Sequence, residues 1–179
     1  MNSPTSDQHR KKSRGKYKFS VITISSSRFQ KYGSVSSPDE ARDTSGGFLV
    51  DYLQEHGMSV IRYILTDDDR SDIIKAVELA MDSGADVIIT TGGTGLSPRD
   101  LTIESLKPMF DKEMPGFGEL FRLRSFDSVG TAVVLTRTTA GIIQGRAVFC
   151  LPGSTDACRL GIEIIVPEAG HIIKHSRTN

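Results

Sequence analysis

The stretch Asp86-Val87-Ile88-Ile89-Thr90-Thr91-Gly92-Gly93-Thr94-Gly95-Leu96-Ser97-Pro98-Arg99-Asp100-Leu101-Thr102 decides how the rest of the chain is read. It opens on an apolar, β-branched run, the pattern of a strand buried on both faces. Gly92, Gly93 and Gly95 follow, then Pro98, an Arg99-Asp100 pair and the start of a helical pattern at Thr102. In an α/β protein a ligand sits just outside the carboxyl end of such a strand. Glycine lacks a Cβ, so the N–H groups from Gly92 to Gly95 can approach and cradle an anion. A turn that only reverses the chain uses the same glycines. Arg99 and Asp100 favour the anion site, because a phosphate with its Mg²⁺ requires a cation and a carboxylate beside the cradle. A Walker loop is excluded, since no lysine precedes the helix, and so is a dinucleotide fingerprint, since the loop is not G-x-G-x-x-G.

Moving outward, 179 residues suit a single domain able to bury its own core. No apolar run approaches the roughly 18–20 residues that cross a bilayer, and the N-terminus lacks a secretory apolar region. With Cys150 and Cys158 the only cysteines, a reducing, cytoplasmic setting and two ordinary buried thiols are expected. The formal charge is zero, but residues 1–18 hold Arg10, Lys11, Lys12, Arg14, Lys16 and Lys18 against Asp7 alone. Such a stretch can touch nucleic acid or an acidic surface. Its lack of apolar residues favours a solvated extension instead, so residues 1–16 are read as a flexible basic tail and 17–179 as the domain.

Tyr17 to Ser25 reads as the first strand, ending in Ser25-Ser26-Ser27-Arg28, where hydroxyls and a cation face a ligand or simply form a turn. Phe29 to Arg42 reads as a long polar loop. Asp43 stands at an N-cap position ahead of a helix whose apolar stripe is Phe48, Leu49, Tyr52 and Leu53. Gly46-Gly47 is costly in its first turn unless a neighbour or ligand comes close. Met58 to Leu65 is the second strand, followed by Asp67-Asp68-Asp69, which exceeds what a helix cap needs and offers a carboxylate to a metal. Ile73, Ile74, Val77, Ala80 and Met81 give the next helix its buried face. Thr102 to Met109 is a short helix broken by Pro108. Gly130 to Thr138 is strand-like, with Gly141 and Gly145 at turns, and Arg146 to Leu151 is a core strand. A helix from about Thr155 to Val166 ends at Pro167, with a last short helix around Ile172-Ile173. This alternation implies a three-layer α/β/α sandwich with a mixed, mostly parallel sheet. Its topology gathers the serines, the acids, the glycine loop and Pro152-Gly153-Ser154 along one sheet edge.

Thr90-Thr91-Gly92-Gly93-Thr94-Gly95 with Arg99-Asp100-Leu101-Thr102, then Met114-Pro115-Gly116-Phe117-Gly118-Glu119 and Leu151-Pro152-Gly153-Ser154, resembles the MoaB/MogA family of molybdopterin-binding proteins over residues 17–170. Asp43-Thr44-Ser45-Gly46 and Gly153-Ser154-Thr155-Asp156-Ala157-Cys158-Arg159 look most like the B-type proteins of that family. The resemblance implies adenylylation of molybdopterin by Mg²⁺-ATP, giving adenylyl-molybdopterin and pyrophosphate before metal insertion. It implies a homo-oligomer, trimer or hexamer, working with other molybdenum cofactor biosynthesis proteins, with no membrane and no nucleic acid. By position, Asp100 matches the essential aspartate after the glycine loop. Asp68 best matches a second metal-holding aspartate, with Asp67 and Asp69 leaving the register open. The substrate-binding set implied is Ser25, Asp43, Ser45, Gly46, Thr91, Gly92, Gly93, Thr94, Gly95, Arg99, Gly116, Glu119, Pro152, Gly153, Ser154 and Thr155. One departure is Ser25-Ser26-Ser27-Arg28, where many members carry an acid.

Adenylyl transfer needs alignment and charge neutralisation more than a strong base. The absence of a Ser-His or Cys-His arrangement is therefore no objection, and His9, His56, His171 and His175 are read as non-catalytic. A non-catalytic molybdopterin carrier or scaffold is the alternative, favoured by the missing acid. A nicotinamide or flavin enzyme is disfavoured by the missing fingerprint.

Overall fold

The computed structural model describes residues 17–178, so the basic tail expected at 1–16 lies outside the described residues. The elements run β1 (Lys18–Ile24), α1 (Ser26–Tyr32), α2 (Thr44–Glu55), β2 (Ser59–Thr66), α3 (Arg70–Asp82) and β3 (Val87–Thr91). Then come α4 (Thr102–Leu106), β4 (Lys112–Glu113), α5 (Pro115–Val129), β5 (Thr139–Ile143), β6 (Arg146–Leu151) and α6 (Thr155–Ser176). The strands form one sheet in the order β2-β1-β3-β6-β5-β4. β2, β1, β3 and β6 are parallel, and β5 and β4 add an antiparallel edge.

Period-two alternation builds the layers. Phe19 and Val21 of β1, Val87 and Ile89 of β3, and Phe149 and Leu151 of β6 face a core shared with α2, α5 and α6. Ile22, Ile88, Val148 and Cys150 point the other way, toward α3 and α4. Both faces of the central strands are covered, which is why these strands read as continuous apolar runs. Each fully buried Ile, Leu or Phe contributes roughly 1.5–3 kcal/mol relative to exposure.

Four local expectations are corrected. The loop expected at Phe29 to Arg42 begins inside α1 and holds a 3-10 turn at Asp39–Ala41; α1 buries no side chain fully, so it leaves no apolar stripe to read. Gly130 to Thr138 is not a strand: Gly130–Leu135 is a 3-10 segment with Val134 80% exposed. The strand lies later, at β5, and turns into β6 through Gln144 and Gly145, whose φ values of 48° and 73° make the two-residue hairpin that right-handed strand twist favours. Gly141 sits within β5 rather than at a turn, where a Cβ would overlap the Phe110 ring. Finally, α6 continues through Pro167. The proline forfeits one bond, to the Glu163 carbonyl. Both residues are exposed, and the face beyond still buries Ala169 and Ile173.

Asp43 does precede α2, but its side chain makes no capping bond. Its buried carboxylate accepts from Thr23 Oγ1 at 2.6 Å and Tyr63 Oη at 2.8 Å, with Arg28 Nε 4.0 Å away. The acid therefore ties β1 and β2 to the head of α2. Burial, with the bond to Asp43 as a lesser cause, pushes the Tyr63 hydroxyl well above its ordinary range and keeps it a donor. Gly46 follows from the same network: a Cβ there would overlap the Asp43 carboxylate and stand 2.7 Å from Thr23 Oγ1. Tyr63→Phe removes a donor from a buried charge and is expected to lower stability by about 1.5–3 kcal/mol in denaturant titration; an unchanged midpoint would show that the tie carries no stability.

Candidate functional site

Because β1, β2, β3 and β6 are parallel, their carboxyl ends share one edge. Backbone bonds stitch that edge together: Ser25 N donates to Thr66 O at 3.0 Å, and Gly92 N to Leu151 O at 3.1 Å. The glycine loop leaves β3 with φ of 98° at Gly92 and 60° at Gly93, the left-handed region open to glycine. A Cβ at Gly92 would overlap the Ile24 carbonyl; one at Gly93 would overlap Thr102 Oγ1 and stand 2.6 Å from Asp68 Oδ2. Thr102 locks the loop, donating from Oγ1 to Gly92 O at 2.8 Å and from its N–H to Gly93 O at 2.9 Å.

The three aspartates after β2 separate by geometry. Asp69 caps α3, accepting from Ser71 N at 2.8 Å and Asp72 N at 3.4 Å. Asp67 accepts from Asp68 N at 2.8 Å. Asp68 turns to the glycine loop, its Oδ1 accepting from Leu101 N at 3.0 Å. Burial raises the Asp68 pKa; the Leu101 bond opposes this, and the charges of Asp100, Asp67 and Glu104 add to it. Asp100 closes the far end of the loop, with Oδ2 accepting from Ser97 N at 2.9 Å.

From β6, Gly153 presses on Gly92: a Cβ on Gly153 would come 3.3 Å from Gly92 Cα. Ser45 donates to Gly153 O at 2.8 Å and lies 3.2 Å from Thr155 Oγ1, so these hydroxyls brace the turn. Ser154 caps α6 through Ala157 N at 3.2 Å. Thr91 donates to Pro152 O at 3.1 Å and lies 3.1 Å from Cys158 Sγ. Burial pushes the Cys158 thiol up to about 11 and Cys150 to about 12, which makes both unreactive as nucleophiles.

An open cavity of about 420 Å³ results, lined by Gly92, Gly93, Thr94, Gly95, Asp100, Pro152 and Gly153 together with Leu135, Thr136 and Arg137. The last three were not singled out from sequence. Arg137 donates to Gly95 O at 2.7 Å and pairs with Glu104, so it holds the loop from the opposite wall. Its neighbours read as strand, where an arginine looks like an ordinary outward residue. Arg99 is exposed, with no hydrogen bond or ion pair from its side chain among the described residues, and is not in the lining. Gly116 and Glu119 are exposed on the first turns of α5, also outside the lining. Ser25 caps α1, accepting from Arg28 N at 3.4 Å, while Asp43 and Gly46 belong to the buried Tyr63 network.

A family model described as "Probable molybdopterin binding domain" matches residues 20–171. The chain is 45% identical to the molybdopterin adenylyltransferase of Pyrococcus furiosus over 175 residues, covering 96% of this chain and 98% of the relative. It is 38% identical to the molybdenum cofactor biosynthesis protein B of Bacillus subtilis over 160 residues, 88% of each chain. The crystal structure of the tungsten cofactor synthesizing protein MoaB from Pyrococcus furiosus superposes with a TM-score of 0.80 at 46% identity, covering 90% of this chain and 98% of that one.

The glycines separate loop geometry from ligand contact. Gly93→Ala is strained at positive φ and crowds Thr102, so a lower Tm is expected. Gly95 has no positive φ, and its added methyl meets first the far end of the Asp100 side chain, at 2.7 Å. Gly95→Ala is therefore expected to keep its Tm within a few degrees while weakening molybdopterin binding. A destabilised Gly95→Ala with unaltered affinity would make this an ordinary turn.

Proposed function

The chain belongs to the molybdopterin-binding domain family of molybdenum cofactor biosynthesis, and from that premise we propose that it adenylylates molybdopterin with ATP at the glycine-loop cavity. The observation that carries the reading is that Asp68 and Asp100 are both fastened to the glycine loop, Asp68 through Leu101 N and Asp100 through Ser97 N, where Gly92, Gly93 and Asp100 line the cavity. The molybdopterin phosphate oxygen attacks the α-phosphorus of ATP; the new P–O bond forms as the α–β bridge breaks, and pyrophosphate leaves with the electron pair. The work of the protein is to hold both phosphates in line and to offset charge. Gly92 N–H is committed to Leu151 O, so the N–H groups from Gly93 to Gly95 would donate to the phosphate oxygens, and Arg137 keeps the Gly95 carbonyl turned to its own guanidinium. The adenylyltransferase name of the Pyrococcus furiosus relative supports turnover over the carrier reading.

Magnesium fits the donor set. Asp68 and Asp100 each give one oxygen to a backbone N–H, and Asp68 feels the charge of Asp100. No group of three metal-ligating side chains forms among the described residues. Two carboxylates completed by substrate phosphates and water is the usual Mg²⁺ arrangement, unlike an all-protein cage. When bound, Mg²⁺ neutralises charge on the triphosphate.

We place the homo-oligomer contact on α5 and the segment after it. Leu123, Phe126, Val129, Val134 and Leu135 stand 71, 52, 48, 80 and 60% exposed, a succession of large apolar side chains left to water of the kind that marks an interaction surface. Leu135 also lines the cavity, so a neighbouring copy would cover one of its walls. Among the described residues no helix is long and apolar enough to cross a membrane, and a cytoplasmic location fits the biosynthetic role.

Incubation with molybdopterin and Mg²⁺-ATP is expected to yield adenylyl-molybdopterin and pyrophosphate; binding without product would overturn the catalytic reading. Asp100→Asn and Asp68→Asn are each expected to slow transfer about 10²–10³-fold with the fold kept. In Asp68 the folded pKa lies above its ordinary 3.8, so the ionised carboxylate costs stability above that pKa and costs nothing once protonated. Asp68→Asn should therefore melt no lower than the parent at pH 7, and the difference should close as pH falls through the carboxylate range. A lower Tm at neutral pH would assign Asp68 a structural role. Leu123→Asp with Phe126→Asp is expected to shift the protein to monomer in light scattering, and an unchanged mass would move the interface elsewhere.

A further inference from the structure

The last turns of α6 carry Glu168-Ala169-Gly170-His171-Ile172-Ile173-Lys174-His175. Because the helix runs on past Pro167, His171 and His175 fall four residues apart on one face. Their ring centroids are 4.5 Å apart, and their Nε2 atoms converge to 2.8 Å. Both are exposed, so two imidazoles that have free access to water hold their Nε2 atoms against each other. On the other side of His171, a Glu168 carboxylate oxygen stands 3.9 Å from Nδ1. A carboxylate there favours the tautomer with the proton on Nδ1, leaving the Nε2 lone pair available.

We infer that His171 and His175 form a surface site for a divalent transition metal, Cu²⁺ or Ni²⁺ by preference, independent of the catalytic cavity. The bite sets the preference. With metal–nitrogen bonds of about 2.0–2.1 Å, a separation of 2.8 Å corresponds to an N–metal–N angle of about 85°. That is the cis angle of a tetragonal or octahedral ion, the geometry of Cu²⁺ and Ni²⁺. Tetrahedral zinc needs the nitrogens about 3.3 Å apart, so the rings must open to take it. The metal-free pair shares one hydrogen bond between its two Nε2 atoms. Binding moves the proton of whichever ring donates from Nε2 to Nδ1, so neither ring loses a proton overall. With no third His, Cys, Asp or Glu grouped there among the described residues, water fills the remaining positions. The site lies sixteen residues along α6 from Thr155, about 24 Å at 1.5 Å per residue, so occupancy at one end leaves the phosphate chemistry at the other untouched.

The test is titration of the untagged full chain with Cu²⁺, Ni²⁺ and Zn²⁺ in Mg²⁺-free buffer, read by calorimetry and, for copper, by the nitrogen hyperfine pattern in electron paramagnetic resonance. One Cu²⁺ per chain with two nitrogen ligands is expected, with affinity falling from Cu²⁺ to Ni²⁺ to Zn²⁺. His171→Asn and His175→Asn should each weaken copper binding at least about tenfold, and Glu168→Gln by about tenfold. His9→Asn and His56→Asn should bind as the parent does. Circular dichroism checks that helix content is kept in each variant. Copper binding unchanged in the His171→Asn/His175→Asn double variant, or lost in His9→Asn or His56→Asn, would overturn the site. Zinc binding tighter than nickel would overturn the geometric basis of the preference.

Discussion

Gly92 is the backbone unit on which the carboxyl edge of the sheet depends. Its N–H reaches Leu151, its carbonyl accepts from Thr102, its Cα bears on Gly153, and a Cβ would strike the Ile24 carbonyl. β1, β3, β6 and the head of α4 therefore meet at one residue with no side chain. Any Cβ would wedge β1 away from the end of β3. The close sheet edge and the tight exit of the glycine loop are thus a single steric condition met by the same atom's absence.

Charge is concentrated around that point. Asp67, Asp68, Asp100 and Glu104 crowd together, and the burial of Asp68 makes its ionised form unfavourable. Arg137 answers part of this by pairing with Glu104 and holding Gly95. Asp68 is left with more neighbouring acid than its own donor offsets, and unfavourable charge of this kind is common where catalysis occurs. Both cysteines are buried with raised pKa values, and His56, His171 and His175 are outside the cavity lining, so among the described residues no cysteine or histidine nucleophile stands at the cavity.

The buried acid at Asp43 plays a different part. Local pattern makes it a helix cap, yet the α2 N-terminus leaves its carboxylate uncapping while Thr23 and Tyr63 supply the donors. These donors come from β1 and β2, twenty residues away on either side. The same network explains Gly46, whose missing side chain makes room for the carboxylate rather than for a ligand.

What the sequence determined by itself is whatever depends on period and on local backbone chemistry. Runs such as Val87-Ile88-Ile89 must be covered on both faces, which dictates alternating strands and helices and a parallel sheet. Gly92 and Gly93 stand where only glycine is free to turn, so the loop was legible, as was Asp100 close behind it. Tertiary structure alone decided which of Asp67, Asp68 and Asp69 reaches that loop, because a cap and a loop contact look identical until the direction of α3 is known. It alone placed Arg137 opposite Gly95, carried α6 through Pro167 on the strength of Ala169 and Ile173, and brought His171 against His175. Local pattern records a residue's own conformational preference; the partner that gives a side chain its role is held by a distant segment, and only packing brings the two together.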